Sequence, residues 1–215
     1  MISKKELTTY MAQIIEFDFS KEVILQDDAV LLRPLQHSDI ENLLHFSLNE
    51  PEIWTFSSIP AAGRKNLENY IDLALKAREN KTEFPFIVYD KKTNAYAGST
   101  RFYDINLPFK TLQLGYTWYG KDYQGTGLNK HCKFLMLEFA FEVLGMERVE
   151  FRADSNNAKS IAAMKSIGCQ VEGILRSHMP TIQNGVRRDS IILSILKSEW
   201  EGGVKEQLKN KINNR

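Results

Sequence analysis

The chain has 215 residues, 43% apolar and 26% charged, and its 28 Lys and Arg against 27 Asp and Glu leave a formal net charge of +1. These proportions exclude collagen-like, disordered and coiled-coil chains, and a chain this long buries about 70% of its unfolded surface, enough for a core without disulfide or metal staples. Near-neutral charge without a basic cluster argues against a general nucleic-acid or membrane-surface binder.

Residues 1–28 read as an N-terminal extension, in which Leu7, Tyr10, Met11, Ile14 and Ile15 have the spacing of a short amphipathic helix suited to packing or dimer contact. A strand over 29–33 is stopped by Pro34, and Ser38 or Asp39 can cap a helix carrying Leu43, Leu44 and Phe46 on one face. An aromatic connection over 51–60 leads to a second helix over 64–80, with Leu67, Tyr70, Ile71, Leu73 and Ala74 inward. The period then changes: strands over 84–89 and 95–103 flank the turn chemistry of residues 90–94, and a third strand runs over 111–119. A glycine-bearing loop at 124–129 precedes a helix over 130–144, a strand over 147–153, a helix over 156–167 and a strand over 170–176. Asn184-Gly185 signals a turn into the strand 187–196, and a terminal helix over 197–212 starts at Ser198.

This order predicts one α/β domain over 29–200, with a single mixed, mostly antiparallel central sheet and flanking helices, followed by a C-terminal helix over 201–215. Cys132 and Cys169 belong to no CxxC pattern and have no His pair nearby, so they read as buried reduced thiols rather than metal ligands or a disulfide. The most apolar stretch, 134–146, is broken by Glu138 and Glu142 and is too short to span a bilayer, which makes a cytoplasmic location the expectation.

The loop after the third strand carries the chemistry. Glycines between a strand and a helix let several backbone N–H groups converge, and the helix N-terminus adds partial positive charge, which together suit a phosphate. Three phosphate patterns compete there, beside a plain glycine loop that binds nothing. Gly115 to Lys121 fits G-x-x-x-x-G-K, but Asp122 stands where a Mg²⁺-binding Ser or Thr belongs. Gly125-Thr126-Gly127 starts a dinucleotide fingerprint whose third glycine position holds Lys130. The third pattern, Q/R-x-x-G-x-G/A, fits Gln124 through Leu128 and departs at Asn129.

The remainder of the chain favours the third pattern. Val30-Leu-Leu-Arg-Pro-Leu35 with Asp39, Leu114-Gly-Tyr116, Asn157-Ala-Lys-Ser160 with Met164-Lys165-Ser-Ile-Gly168, Glu172-Gly-Ile-Leu-Arg176 and Gly185-Val-Arg-Arg-Asp189 stand in order across 29–200. Together they resemble the GCN5-related N-acetyltransferase (GNAT) superfamily, in its RimJ/RimL-type branch. Two departures from the pattern are Asn129, where a small residue is usual, and Cys169, where Phe is usual.

That resemblance implies the acyl-coenzyme A N-acyltransferase fold and direct transfer of acetyl from acetyl-coenzyme A to an amine, either a protein N-terminus or a small molecule. It implies no metal. Gln124, Gly125, Thr126, Gly127, Leu128, Asn129 and Lys130 would hold the pyrophosphate, and Trp118, Tyr119, Asn157 and Ser160 the pantetheine arm. Trp118 would present the backbone N–H that meets the thioester oxyanion, and Ser160 would protonate the leaving sulfur, against the simpler reading that Ser160 only opens its helix. Lys130, His131 and Lys133 could approach the phosphates, and Trp54, Phe56 and Trp118 the acceptor. Glu172, Asp104 and His178 are open candidates for the base. A catalytically idle acyl-coenzyme A binding protein and a nucleotide-binding enzyme are the rival functions, and dimerisation through the N-terminal segment or an edge strand stays open.

Overall fold

The computed structural model describes residues 17–182 and 186–214, so the amphipathic pattern of Leu7 to Ile15 and the Asn184-Gly185 turn lie outside the described residues. The described elements, in chain order, are β1 (Leu25–Gln26), β2 (Val30–Pro34), α1 (Asp39–Asn49), α2 (Arg64–Glu79), β3 (Phe84–Asp90), β4 (Ala95–Asn106), β5 (Thr111–Tyr119), α3 (Leu128–Glu138), β6 (Arg148–Asp154), α4 (Ala158–Ser166), β7 (Gln170–Pro180), β8 (Arg187–Leu196) and α5 (Lys205–Asn213). One eight-stranded sheet has the order β1-β2-β3-β4-β5-β6-β8-β7, and every neighbouring pair is antiparallel except β5 and β6.

Both faces of the sheet are covered, which explains why β3 in the middle is apolar almost throughout instead of alternating. One face packs Val30, Phe86, Leu114 and Phe151 against Leu128, Cys132, Met136 and Leu137 of α3 and against Trp200 and Leu208 near the C-terminus. The other face packs Ile87 and Trp118 against Leu43 of α1 and Leu67, Tyr70 and Ile71 of α2. Phe17 and Phe19 also pack on the first layer, through edge contacts with the Phe84 and Phe139 rings, so residues 17–28 with β1 add to the domain rather than trail from it.

Several local details differ from the sequence reading. Ser38 makes no side-chain cap for α1. The Asp39 carboxylate is instead buried, accepts from Gln36 N–H at 2.9 Å and pairs with Arg33 at 2.7 and 2.8 Å, which ties α1 to β2. The helix after the glycine loop begins at Leu128 and ends in one wide turn, Phe139–Val143. The terminal helix is broken by a second wide turn, Trp200–Val204, where Gly203 has φ +137°, and its start is held by Glu199 accepting from Leu196 N–H rather than by Ser198. β7 runs to Pro180, four residues beyond the predicted end.

Two features of the sheet position the site. First, β5 and β6 pair over only three positions, Thr111–Arg148, Leu112–Val149 and Gln113–Glu150. Past those, β5 keeps pairing with β4 up to Tyr119, and β6 with β8 up to Asp154, so the two strands diverge. Second, Ser99 of β4 faces Trp118 while Arg101 faces Gly115, which leaves Tyr116 and Thr117 opposite Thr100 alone. This is a bulge in β5, and Tyr116 absorbs it at φ +48°.

Candidate active site

The divergence of β5 from β6 opens a cavity of about 680 Å³, walled by β5, the loop before α3, the starts of α3 and α4, and the turn at Ile53 to Ser58. Which backbone groups face it follows from peptide geometry. The Trp118 carbonyl lies against Gly98 of β4, so close that a Cβ on Gly98 would sit 2.1 Å from that oxygen. A trans peptide sets its C=O and N–H in opposite directions, so the Tyr119 N–H faces away from β4, into the gap. Gly120 N–H bonds Ala97 O of β4 at 2.9 Å, which turns the Tyr119 carbonyl to the gap side as well. The sequence reading assigned the oxyanion N–H to Trp118; the pairing of Trp118 with Ser99 turns the polar groups of Trp118 toward β4, and the N–H that faces the gap beside it is that of Tyr119.

The loop is built to hold an anion. After the turn Lys121–Tyr123, Gly125 has φ +78° and Gly127 φ +105°, and α3 starts at the next residue. Side chains rarely adopt these angles. A Cβ on Gly125 would meet nothing within 4 Å, so that glycine serves the backbone path and leaves open space above it. The positive end of α3 lies beside that space, with the Leu128 and Lys130 N–H groups bonded to Thr126 Oγ1 and Gly127 O.

The predicted loop residues divide by role. Gly125, Gly127, Asn129 and Lys130 line the cavity, whereas the Leu128 side chain is buried in the core and Thr126 caps the loop by donating to Tyr123 O at 2.8 Å. Gln124 spans the mouth: its amide donates to the Tyr119 carbonyl at 2.8 Å and its oxygen accepts from Lys159 of α4. Asn129 stands off the loop as the second residue of α3 and accepts from the buried Tyr119 hydroxyl at 3.2 Å; burial raises the pKa of that phenol well above its usual value.

On the opposite wall Asn157 is the N-cap of α4, its Oδ1 accepting from Ser160 N–H at 3.0 Å. Capping is therefore done by Asn157, and the Ser160 hydroxyl is spared that task. Both residues line the cavity.

Lys133 departs most from expectation. It faces neither solvent nor the loop. Its Nζ reaches under β5, 2.6 Å from Thr117 Oγ1 and 3.3 Å from Thr100 Oγ1, and those hydroxyls are 2.7 Å apart. Burial pushes this amine down to about 7. His131 also leaves the phosphates, with Nδ1 2.7 Å from Asp27 Oδ2.

The far side of the cavity is aromatic and mixed in charge. Trp54, Phe56, Tyr70, Tyr103, Tyr116 and Trp118 line it, with Glu83, Asp104, Arg152 and Arg188 among them. Trp54 and Trp118 pack with ring centroids 5.0 Å apart, and each buried indole N–H lacks a protein acceptor. Glu83 pairs at 2.6 Å with Arg101, whose guanidinium lies over the Tyr70 and Tyr116 rings at 4.7 and 4.2 Å. Of the candidate bases, only Asp104 reaches the cavity wall. Glu172 lies on edge strand β7, where the Ser194 hydroxyl and then Arg148 hold its carboxyl below the usual range. His178 bonds Ser190 at 3.0 Å and is lowered by burial and then by Arg152, Arg188 and Arg187.

Among the described residues no group of His, Cys, Asp and Glu could hold a metal ion, and no helix is long and apolar enough to cross a membrane.

Comparison with known proteins finds similar sequences and a similar fold. Residues 29–170 match the model of the acetyltransferase (GNAT) domain. An uncharacterized N-acetyltransferase, p20, of Bacillus licheniformis is 24% identical over 183 residues, covering 83% of this chain and 98% of that protein. The putative ribosomal N-acetyltransferase YdaF of Bacillus subtilis is 30% identical over 116 residues, 54% of this chain and 60% of its own. Among solved structures, a GCN5-related N-acetyltransferase from Brucella melitensis superposes with a TM-score of 0.82 at 26% identity, covering 91% of this chain and 87% of the other.

Proposed function

The chain belongs to the GNAT acetyltransferase family, and on that premise we propose that it moves acetyl from acetyl-coenzyme A to the α-amine of an aminoacyl or peptide acceptor. The observation that carries this reading is the Trp118–Tyr119 peptide, whose N–H faces the gap beside the Gly125–Gly127 loop at the start of α3. The pyrophosphate takes the loop, and the pantetheine arm lies along the unpaired edge of β5, bonded by the outward backbone groups of Tyr119 and reached by Asn157 from α4.

The acceptor amine attacks the thioester carbon and the C–S bond breaks. The carbonyl oxygen gathers negative charge on the way, and the gap-facing Tyr119 N–H stabilises it. The Ser160 hydroxyl protonates the leaving sulfur and is reprotonated, through water, by the proton that the attacking nitrogen releases as the amide forms. An α-amine with a pKa near 8 loses its proton more readily at neutral pH than a lysine-type amine near 10.4.

The name of the Bacillus subtilis relative, a putative ribosomal N-acetyltransferase, supports a protein acceptor.

Calorimetric titration with acetyl-coenzyme A, beside ATP–Mg²⁺ and NAD, tests the donor site. Mass spectrometry then scores acetylation of short peptides against spermidine. Binding of acetyl-coenzyme A with no transfer to any amine would leave the idle binding protein as the better reading, and absence of binding would remove the donor site altogether.

A further inference from the structure

We propose that Lys133 is the positioning residue of the donor half: it holds the bulged segment of β5 through Thr117, next to the gap-facing Tyr119 N–H, and it places a cation beside the negative charge formed on the thioester.

The geometry is specific. Lys133 is 5% exposed, lines the cavity and sits on the second turn of α3, below the loop. Its Nζ has Thr117 Oγ1 at 2.6 Å and Thr100 Oγ1 at 3.3 Å, and no carboxylate oxygen within 4.0 Å among the described residues. Burying a lysine without a counter-ion opposes folding, so a gain elsewhere has to offset it. Thr117 is one of the two bulged residues of β5, and Thr100 is the β4 residue that stands opposite them. The amine therefore grips the place where β5 is irregular and where its backbone groups change sides. An anionic ligand in the gap would supply the counter-charge that the protein itself withholds.

The titratable groups that act on this amine are Cys132 on its own helix and Cys169 just before β7, with a hydroxyl offered by Thr117 of β5 and another by Thr100 of β4. Both thiols are pushed up to about 12 by burial, so they stay neutral while the lysine titrates near 7. In the free protein this amine loses its proton just above neutrality, and a bound anion would restore it.

The inference rests on the donor site proposed above, and the experiment separates the two. Acetyl-coenzyme A is titrated into the full chain at pH 7.5 in buffers of different ionisation enthalpy, and kcat/KM for acetyl-coenzyme A is followed from pH 6 to 9 with a peptide acceptor. Wild type should take up roughly half a proton on binding, and Lys133→Met should take up close to none. The same variant should lose ten- to a hundredfold in kcat with acetyl-coenzyme A affinity within about threefold, and lose the fall in kcat/KM above pH 7. If Lys133→Met does not fold, the nearly isosteric Thr117→Val should lower kcat several-fold and move that limb to lower pH. Equal proton uptake and an unchanged limb in Lys133→Met, or a wild-type profile in Thr117→Val, overturns the role of Lys133 and leaves the donor site standing. Failure of wild type to bind acetyl-coenzyme A overturns both.

Discussion

Gly127 offers the sharpest test of the donor site. It has φ +105° and ψ −21° and is the last residue before α3, beside the open space over Gly125. Replacing it with alanine imposes backbone strain of about 1–2 kcal/mol, present with or without ligand, so stability falls and affinity does not. Replacing it with glutamate adds the same strain and a carboxylate. At about 5 Å from a phosphate, an effective dielectric of about 20 gives about 3 kcal/mol for each pair of charges, or about 6 for a pyrophosphate carrying two. Screening at physiological salt removes roughly half. The remaining ~3 kcal/mol is about two orders of magnitude in affinity, since each 1.4 kcal/mol is tenfold. Calorimetry on Gly127→Ala and Gly127→Glu, with melting curves for both, separates strain from repulsion. A folded Gly127→Glu protein that binds acetyl-coenzyme A within threefold of wild type would refute the placement of the pyrophosphate.

Ser160→Ala should lower kcat ten- to a hundredfold with little change in KM for acetyl-coenzyme A and less than about 0.5 kcal/mol of stability, because Asn157 already caps α4; a loss of stability with normal turnover would return Ser160 to a structural role. Asp39→Ala should cost about 3–5 kcal/mol by urea unfolding, since it strips the partner from Arg33 and leaves the Gln36 N–H unmatched, while acetyl-coenzyme A affinity is unchanged. Lys133 sets a pH dependence of stability. Its folded pKa, near 7, lies below its unfolded value near 10.4, so between these the unfolded chain binds the extra proton and stability rises with pH by about 1.4 kcal/mol per unit. The two thiols oppose this once pH passes their unfolded value near 8.5, because burial holds their folded values near 12; denaturant midpoints should therefore rise from pH 7 to 8 in wild type and show no such rise in Lys133→Met.

Much of this was legible in the sequence. The strand over 111–119 has the same bounds in the structure, because alternating and apolar residues end at Gly120, whose close contact with the Phe46 ring excludes a side chain. The two glycines of the loop both take positive φ, at positions where the sequence already placed a turn between strand and helix. The divergence of β5 from β6 was hidden, since it depends on a parallel pair that closes across α3 and leaves no local mark. So was the direction of the Trp118 peptide, which the bulge at Tyr116 sets. The far end of β7 was missed because an exposed edge strand keeps polar residues such as Ser177 and His178. Lys133 did leave a signal. It stands three and four residues before Met136 and Leu137 and seven before Ala140, on the stripe that enters the core, and a lone cation on that stripe could have been read as buried.

The three-residue ladder between β5 and β6 has a mechanical meaning. Strands β1 to β5 are neighbours in sequence and space, and β6 to β8 form their own antiparallel unit, so each half can assemble from short-range pairings. Few backbone bonds then stitch one half to the other. A molecule that bonds the exposed edge of β5 and also touches α4 would continue the seam beyond the last ladder pair and add to the coupling that the core shared with α3 already gives the two halves. Amide exchange in β6 and β8 should therefore slow on binding, as should exchange in the loop itself.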